Sequence, residues 1–494
     1  MPGLLDPGTC LVHNSSKKGS PMMEKDRQYT QEDLSTIHHG SLRILAGAGV
    51  VFESEKAVAI FRRHGFRTDG RKVYFTEAAV TRALETAPER FRLHARNPAK
   101  SIDIGTDTVV LAPTGGAPNI SDVGGRQRRA TMADFETCCR LVHSSEVLSL
   151  GGGIMVQAND VPAATAHLDM VSTYIRLCDK PIIGASVSGP AARDSLEMAG
   201  MLCGGMEVLQ EKPGVIAVTN VKSPLSFSGE QAEVIMEMAA CRQPVIVATM
   251  VMAGSSGPVS MAGVAALQNA EILAGIVLAQ LTAPGAPVVY GATSAPLDMK
   301  TAVAAVGAPE TVQLAMLTAR MAHFYRLPCR TGGSLTDAQV PDAQALAEGA
   351  LILASAVGSG ANFILHSCGQ IGSFLSLSFE KWLIDEEVSA HVLKSLTPVK
   401  ISEAAIDADF IVSVGQGEYL THPKTLATFR SLSQPSLFSR SDYQQWTESG
   451  ARRIEAVAAE HLRQRLEFYE QPSLDPGMAK AIDAFVARRK GNRR

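Results

Sequence analysis

The second half of the chain alternates between short apolar runs and longer segments with the periodicity of amphipathic helices. Seven apolar runs of strand length recur every thirty to forty residues, at 148–155, 181–185, 215–219, 245–250, 288–291, 327–331 and 363–366. Helix-length segments lie between them, at 163–177, 191–202, 229–241, 263–281, 309–325 and 342–357. This rhythm is typical of repeated βα units around a parallel sheet, whose buried strands are short and continuously apolar.

An eighth apolar run at 410–414 completes the set. Eight βα units predict a closed barrel, so the expected fold class is α/β, a TIM (β/α)8 barrel. An open nucleotide-binding sheet fits less well, because the sequence contains neither a GxGxxG nor a GxxxxGK[ST] phosphate-binding motif.

The segments that flank the barrel have a different pattern. Residues 28–145 combine three helical segments with short strands and a stretch rich in glycine and proline, which predicts an N-terminal α+β cap. The barrel itself is expected over 146–415. Residues 416–494 are expected to form a C-terminal helical extension, whose charged helices are typical of a solvated packing surface. Residues 1–27 are interpreted as a disordered extension.

Composition narrows the class of protein. The 494 residues are 46% hydrophobic and 19% charged with a net charge of −3, which predicts a soluble protein and excludes nucleic acid as the main partner. The apolar stretch at 262–281 contains Gln268 and Glu271, so it is interpreted as a buried helix and no membrane association is expected. The eight cysteines lack CxxC spacing, which favours free thiols, a cytoplasmic location and no zinc site.

Polar and glycine-rich segments follow the predicted strands, at 157–160, 186–188, 220–223, 252–256, 293–294, 336–339 and 366–370. In a TIM barrel these ends meet at one face around one pocket. Their side chains are mostly amides and hydroxyls, with one histidine and no evident metal-ligand set. We therefore expect a neutral pocket, no bound metal and no tightly bound cofactor, and we assign no catalytic acid or base.

The candidate substrate-binding residues are His366, Gln339, Asn119, Asn220, Tyr290, Asp337 and Phe374. His366 ends an apolar strand, so it is either a donor to a substrate carboxylate or a hydrogen-bonded core histidine. Asp337 and Asn119 lie in turn-forming segments and could act in the site or only brace the turns. Phe374 could face an ammonium group or pack in the core. Glu271, within an apolar helix, is interpreted as structural.

Several segments, in order and spacing, resemble the trimethylamine methyltransferase family, the corrinoid-dependent amine methyltransferases. They are ILAGAGV (44–50), APTGGAPNISD (112–122), NAEILAGIVLAQLTAPGAPVVYG (269–291), GGSLTDAQVPDAQALAE (332–348), ANFILHSCG (361–369) and WLIDEE (382–387). The resemblance spans about residues 30–480.

The resemblance implies a TIM barrel that moves a methyl group from an amine to the Co(I) corrinoid of a separate protein docked over the barrel mouth. Founding members carry pyrrolysine on this barrel, in a loop that corresponds to 332–339, and this sequence contains none. A quaternary ammonium has a fixed charge and a neutral leaving group, so it needs only to be oriented in a dry pocket. The expected substrate is a betaine, with glycine betaine leading and proline betaine, carnitine and γ-butyrobetaine also compatible. A homo-oligomer is expected.

Two other classes of function stay open. Another TIM-barrel enzyme, such as a lyase or aldolase, would need a Schiff-base lysine, for which Lys222 is the strand-end candidate. A non-catalytic protein of the same fold would bind a betaine without reacting with reduced corrinoid.

Overall fold

The structure is a computed structural model that describes residues 29–105 and 108–491. The predicted extension at 1–27 lies outside the described residues. The first helix begins after Thr30, whose hydroxyl accepts from the backbone N–H of Asp33 while the Asp33 carboxylate accepts from the Thr30 backbone N–H. This reciprocal capping box satisfies two backbone donors that a helix start otherwise leaves unpaired.

The described part of the N-terminal region contains four helices and eight short strands. They are α1 (Gln31–Gly47), β1 (Val50–Phe52), α2 (Glu55–Arg63), β2 (Arg67–Asp69), β3 (Lys72–Tyr74), α3 (Glu77–Thr86), β4 (Arg90–Leu93), β5 (Ile102–Gly105), β6 (Val110–Leu111), β7 (Asn119–Ser121), β8 (Gln127–Arg129) and α4 (Met132–Ser144). A 3₁₀ turn at Pro98–Lys100 precedes β5. The predicted α+β character of this region is thus observed in its elements, and the domain boundaries themselves stay a prediction.

The βα units follow in chain order. They comprise β9 (Gly151–Gly152), α5 (Ala166–Leu177), β10 (Ile182–Ile183), α6 (Gly189–Cys203), α7 (Met206–Glu211), β11 (Val215–Asn220), β12 (Ser226–Phe227), α8 (Gly229–Ala240), β13 (Val245–Thr249), β14 (Met252–Ala253), α9 (Met261–Thr282), β15 (Val288–Ala292), β16 (Ala295–Asp298), β17 (Val303–Ala304), α10 (Pro309–Phe324), β18 (Cys329–Gly332), α11 (Ala343–Gly358), β19 (Phe363–Leu365), β20 (Gln370–Ile371), β21 (Ser376–Leu377) and α12 (Phe379–Ser395).

Eight parallel strands form the central sheet, in the order β6-β19-β18-β15-β13-β11-β10-β9. The outer strands approach one another, because the Ser149 backbone N–H donates to the Leu111 carbonyl at 2.9 Å. The seven strands predicted in the second half of the chain are confirmed in position. The TIM barrel fold class is confirmed.

The predicted eighth strand at 410–414 is wrong. Those residues belong to a helix, α14 (Ala408–Val414), and β6 from the N-terminal region pairs with β19 in the eighth position instead. The apolar run at 410–414 is as short as a strand, and periodicity alone cannot tell such a run from a short helix.

Side chains alternate between the barrel interior and the helical layer along each strand. On β15, Val289 packs in the interior cluster, whereas the Tyr290 side chain reaches outward and its hydroxyl donates to Oδ1 of Asn269 on α9. Across the sheet, Tyr290 pairs with Cys329 and Gly291 pairs with Arg330. Arg330 therefore points into the barrel, and its cross-strand neighbour Gly291 has no side chain.

The outer layer contains α9, which is predominantly apolar and includes four buried polar residues, Gln268, Asn269, Glu271 and Gln280. It is the one helix of the described chain long and apolar enough to span a membrane, yet 78% of that stretch is buried inside the protein. Its polar residues are paired internally: Asn269 donates to the hydroxyl oxygens of Ser41 and Tyr325 at 2.8 Å each. The prediction of a buried core helix is confirmed.

After α12 the residues described up to 491 form six more helices, with a 3₁₀ turn at Phe429–Ser431. They are α13 (Glu403–Ile406), α14 (Ala408–Val414), α15 (Pro423–Thr428), α16 (Tyr443–Glu448), α17 (Ile454–Glu467) and α18 (Pro476–Gly491). Helices α17 and α18 pack on the barrel: Arg465 on α17 forms an ion pair with Glu386 on α12, and Lys490 on α18 pairs with Asp169 on α5. The charged tail is therefore a packing surface, as predicted.

Candidate active site

A cavity of about 840 Å³ opens at the carboxyl ends of the barrel strands. Its walls are formed by strand ends and by glycine-rich backbone, including Gly115–Gly116 and Gly152–Gly153. Gly152 has φ +100°, and a Cβ there would lie 2.8 Å from the Ile183 carbonyl oxygen, so the close approach of these strands requires glycine. The volume is typical of small-molecule sites.

One charged side chain lies at the deep end of this cavity. Arg330 is only 2% exposed, and burial lowers the pKa of its guanidinium to about 10. Its Nη1 donates to the hydroxyl of Thr293, whereas Nε is buried without an acceptor. Within 29–105 and 108–491, no carboxylate forms an ion pair with it. A buried, unpaired cation with unused donors is costly unless an anion binds there.

His366 follows β19 and lies beside this cation. The Gly115 backbone N–H donates to Nδ1 of His366 at 3.3 Å, so the neutral imidazole carries its proton on Nε2. Burial, followed by the nearby Arg330 charge, holds the imidazole pKa well below its usual range. At neutral pH the residue is therefore a neutral hydrogen-bond donor through Nε2.

The backbone around His366 is constrained. His366 has φ 61° and Phe374 has φ 76°, a region that non-glycine residues seldom occupy. Two backbone hydrogen bonds hold the turn, from His366 to the Pro113 carbonyl and from Ser367 to the Ala112 carbonyl. The rings of His366 and Phe374 meet edge-on with centroids 5.0 Å apart. Strained backbone of this kind concentrates at functional sites.

The cavity has opposite charges at its two ends. Arg330 is buried at the interior end, and Glu230, at the start of α8, lines the exposed end. Hydrogen bonds from its own backbone N–H and from Ser228 lower the Glu230 pKa, so the carboxylate is ionised at neutral pH. A ligand with an anionic and a cationic end is therefore oriented with the anion inward.

Three of the predicted site residues line the cavity together: His366, Asn220 and Phe374. Asn220 ends β11, and Phe374 reaches in from the loop after β20. Phe374 was expected either to face an ammonium group or to pack in the core. Both interpretations fit this position, since the ring contacts His366 and also faces the cavity.

The other four predicted residues lie elsewhere. Gln339 is exposed, and its amide donates to the Asp337 carbonyl at 3.2 Å. Asp337 accepts from the backbone N–H groups of Val306 and Gly307 and from the Ser373 hydroxyl, so it braces loops. Neither residue lines this cavity, and a substrate-binding role for either stays a prediction.

Asn119 and Tyr290, the remaining two predicted residues, also lie outside the cavity lining. The Asn119 amide donates to the Leu375 carbonyl at 3.0 Å and does not line the cavity. Tyr290 is fully buried on the helical side of β15, because strand alternation turns it away from the interior. Its hydroxyl lies in the network with Asn269.

The structure also shows the positions of Glu271, interpreted as structural, and of Lys222, the Schiff-base candidate. Glu271 accepts from the Ser223 hydroxyl, the Leu225 backbone N–H and the Thr249 hydroxyl, as expected of a structural carboxylate. Lys222 is exposed, lies 3.5 Å from Glu53 and does not line the cavity. The described residues contain no group of three or more His, Cys, Asp or Glu side chains placed to hold a metal ion.

Sequence reasoning missed Arg330, Thr293 and Glu230. One sequence signal existed for Arg330: it is a charged residue within an apolar strand run, followed by Gly332–Gly333. A charge in a buried strand is expensive, so its presence indicates a functional or paired role. Thr293 lies in the polar segment at 293–294 that was expected at the pocket, although it was not singled out as a binding residue. Glu230 gave no such signal, since acidic residues are common at helix starts.

Comparison with known sequences gives a consistent result. The profile of the trimethylamine methyltransferase (MTTB) family matches residues 14–493. Glycine betaine methyltransferase of Desulfitobacterium hafniense (strain Y51) is 37% identical over 472 residues, covering 95% of this chain and 98% of that protein. L-carnitine:corrinoid methyltransferase of Eubacterium limosum is 29% identical over 90% of this chain and 93% of that protein.

Among solved structures, the crystal structure of the hydroxylamine MtmB complex aligns with a TM-score of 0.52 at 13% identity, over 92% of this chain and 90% of that chain. That likeness concerns the fold alone. The sequence match over nearly the whole chain identifies the protein as a member of the trimethylamine methyltransferase family.

Proposed function

We propose that this protein transfers a methyl group from a carboxylate-bearing quaternary amine, with glycine betaine as the leading substrate, to the corrinoid of a partner protein. The observation that carries this proposal is Arg330, a buried guanidinium with no carboxylate partner in the described chain, at the deep end of the barrel cavity. A planar carboxylate matches the donor geometry of a guanidinium, and the charges neutralise one another.

His366 supports the same assignment. Its Nε2–H supplies a second donor to the carboxylate, while the neutral ring adds no charge that would compete with Arg330. The trimethylammonium end can accept or donate no hydrogen bonds, so it requires aromatic or anionic surroundings. The Phe374 ring and the Glu230 carboxylate lie on the cavity wall and supply both.

This orientation presents the methyl groups toward the mouth of the barrel. The carboxylate occupies the buried end and the ammonium group the exposed end, where a partner protein can reach it. The corrinoid supplies the nucleophile, and the methyl carbon leaves nitrogen while the nitrogen keeps the electron pair as a neutral tertiary amine. The chain itself binds, orients and excludes water, which needs no proton transfer.

The mouth also offers a surface for the corrinoid protein. Large apolar side chains are exposed on the segments that connect barrel strands to the helices that follow them, which in a TIM barrel lie at the mouth. We call this set the mouth rim: Val187, Val259, Met299, Val303 and Leu375. Exposed apolar groups around a functional cavity are typical of a protein–protein contact. The partner would cover the cavity and keep the reacting groups dry.

The competing functions are less well supported. A Schiff-base mechanism requires a lysine at the cavity, and none of the cavity-lining residues of the described chain is lysine.

A cytoplasmic location stays a prediction, based on cysteines that are free thiols throughout the described chain.

Methyl transfer to free cob(I)alamin tests the proposal. Purified protein is mixed with cob(I)alamin and one of glycine betaine, proline betaine, carnitine, γ-butyrobetaine, choline or trimethylamine, and the cobalt absorbance is followed. We expect turnover with at least one betaine. Choline is the matched control, since it keeps the quaternary ammonium and lacks the carboxylate.

Turnover of choline or trimethylamine at the betaine rate would contradict the carboxylate assignment. Betaine binding without any turnover, with cob(I)alamin or with a corrinoid protein, would identify a binding protein instead.

A further inference from the structure

A segment between α12 and α16 departs from the barrel, and we call residues 396–435 the arm. No residue from 394 to 436 is buried, although the arm contains helices α13, α14 and α15. The arm is anchored where it rejoins the body: the Ser436 backbone N–H donates to the Glu387 carboxylate at 3.0 Å. The chain thus leaves the fold for about forty residues and returns.

The arm is unusually apolar for an exposed segment. It holds fewer than a tenth of the residues but eleven of the twenty exposed large hydrophobic side chains of the described chain. They are Leu396, Val399, Ile401, Ile406, Ile411, Val412, Tyr419, Leu420, Leu426, Phe429 and Leu432. Val399 is 85% exposed and Val412 is 80% exposed. Such a concentration marks a protein interaction surface.

The contacts within the arm are too few to stabilise its short helices. The ring of Phe410 packs against His422 at 4.7 Å and Tyr419 at 5.8 Å, and Lys424 lies over the same ring. This small cluster joins the arm helices to one another only. Helices of four to seven residues are not stable alone in water, so their order depends on tertiary packing. Helix α14 is apolar on several sides, as expected of a helix that is covered by a partner.

We propose that the arm is the interface between two copies of this chain. The exposed parts of its large apolar side chains amount to roughly 1,000 Å² per chain, which is comparable with the ~800 Å² per partner that a stable interface buries. Symmetric self-association uses the same patch on both copies, and it covers the arm permanently. Interfaces of permanent homodimers are more apolar than those of transient complexes.

A corrinoid protein is a poor occupant of this surface. It must approach the cavity mouth, where the mouth rim already provides an apolar contact. Helix α12 begins near the mouth, where the Ser378 backbone N–H donates to the Gly369 carbonyl, and barrel helices run back to the opposite face. The arm therefore leaves from the side of the barrel away from the mouth. A partner that binds and departs in each cycle would also leave the arm uncovered.

Sedimentation velocity of the full chain at about 10 μM tests the proposal. The expected mass is at least twice the 52.4 kDa of one chain. The double variant Ile411→Glu/Val412→Glu should raise the dissociation constant at least about a hundredfold, because it places charges in the centre of an apolar interface. Leu351→Glu is the matched control, since Leu351 is an exposed leucine on α11, outside the arm, and this variant should remain associated.

Hydrogen exchange of the wild-type chain provides a reading that needs no variant. Backbone amides of 399–432 should be protected at high concentration and lose protection on dilution, in step with dissociation. A monomeric wild type, an arm variant that associates as tightly as wild type, or arm amides whose exchange ignores concentration would each overturn the proposal. Protection that arises only when a corrinoid protein is added would assign the arm to that protein instead.

Discussion

The backbone N–H of Gly115 donates to Nδ1 of His366 at 3.3 Å, and this contact decides what the histidine can do. It fixes the tautomer with the proton on Nε2, and burial beside Arg330 keeps the ring neutral. A glycine-rich loop from the N-terminal region thus sets the chemistry of a residue that follows β19. The two segments are about 250 residues apart in sequence.

Replacing Arg330 separates binding from stability. In Arg330→Met a buried charge without an ion-pair partner becomes an apolar side chain of similar length, so the free energy of unfolding should stay the same or rise by about 1–3 kcal/mol. Betaine affinity should fall at least about a hundredfold, because a charge-assisted contact is lost. Urea unfolding and calorimetry measure the two effects. Arg326→Met, at an exposed surface pair with Glu89, should leave betaine affinity unchanged. Normal betaine binding by Arg330→Met would move the carboxylate site elsewhere.

His366→Ala removes the second proposed donor. Loss of a hydrogen bond to a charged group costs roughly 1.5–3 kcal/mol, about ten- to a hundredfold in affinity. Calorimetric titration with glycine betaine on a folded variant measures this change. His366→Asn tolerates the positive φ and retains an N–H donor, so it should bind more tightly than His366→Ala. Equal affinity in wild type and His366→Ala would make the residue a core histidine.

The same histidine makes stability depend on pH in a defined direction. Its folded-state pKa lies well below 6.5, so as pH falls through 6.5 the unfolded chain gains a proton that the folded chain does not. The contribution is present above pH 6.5 and is lost below it, by at most about 1.4 kcal/mol per pH unit. Urea unfolding at pH 7.5 and pH 5.5 should show wild type losing about 1 kcal/mol more than His366→Asn. An identical loss in both proteins would contradict a neutral buried His366.

Met299→Glu tests the mouth rim. Met299 is 75% exposed on the hairpin of β16 and β17, so a charge there should not disturb folding. Methyl transfer to the corrinoid protein should slow at least about tenfold, through a higher KM for that protein. Transfer to free cob(I)alamin should be unchanged, which separates docking from chemistry. Leu351→Glu, far from the strand ends, should affect neither reaction. Equal slowing with both acceptors would place Met299 in the substrate site.

The sequence determined most of the barrel by itself. Apolar runs at a regular spacing predicted seven parallel strands, because each strand buried on both faces reads as a short continuous apolar segment. Gln268 and Glu271 within an apolar stretch predicted a buried helix, and Glu271 is held there by internal hydrogen bonds. These are local properties, so one stretch of chain suffices to reveal them.

Only the tertiary structure decided the eighth strand and the site. Val110–Leu111 completes the sheet because it pairs with Phe363 and Ile364, and no local pattern indicates a partner 250 residues away. Tyr290 and Arg330 show the same limit at the level of side chains. Both follow apolar strand residues, yet alternation turns Tyr290 toward α9 and Arg330 into the barrel. A one-residue difference in register reverses that outcome, so the direction of a side chain is a property of the sheet and not of the sequence.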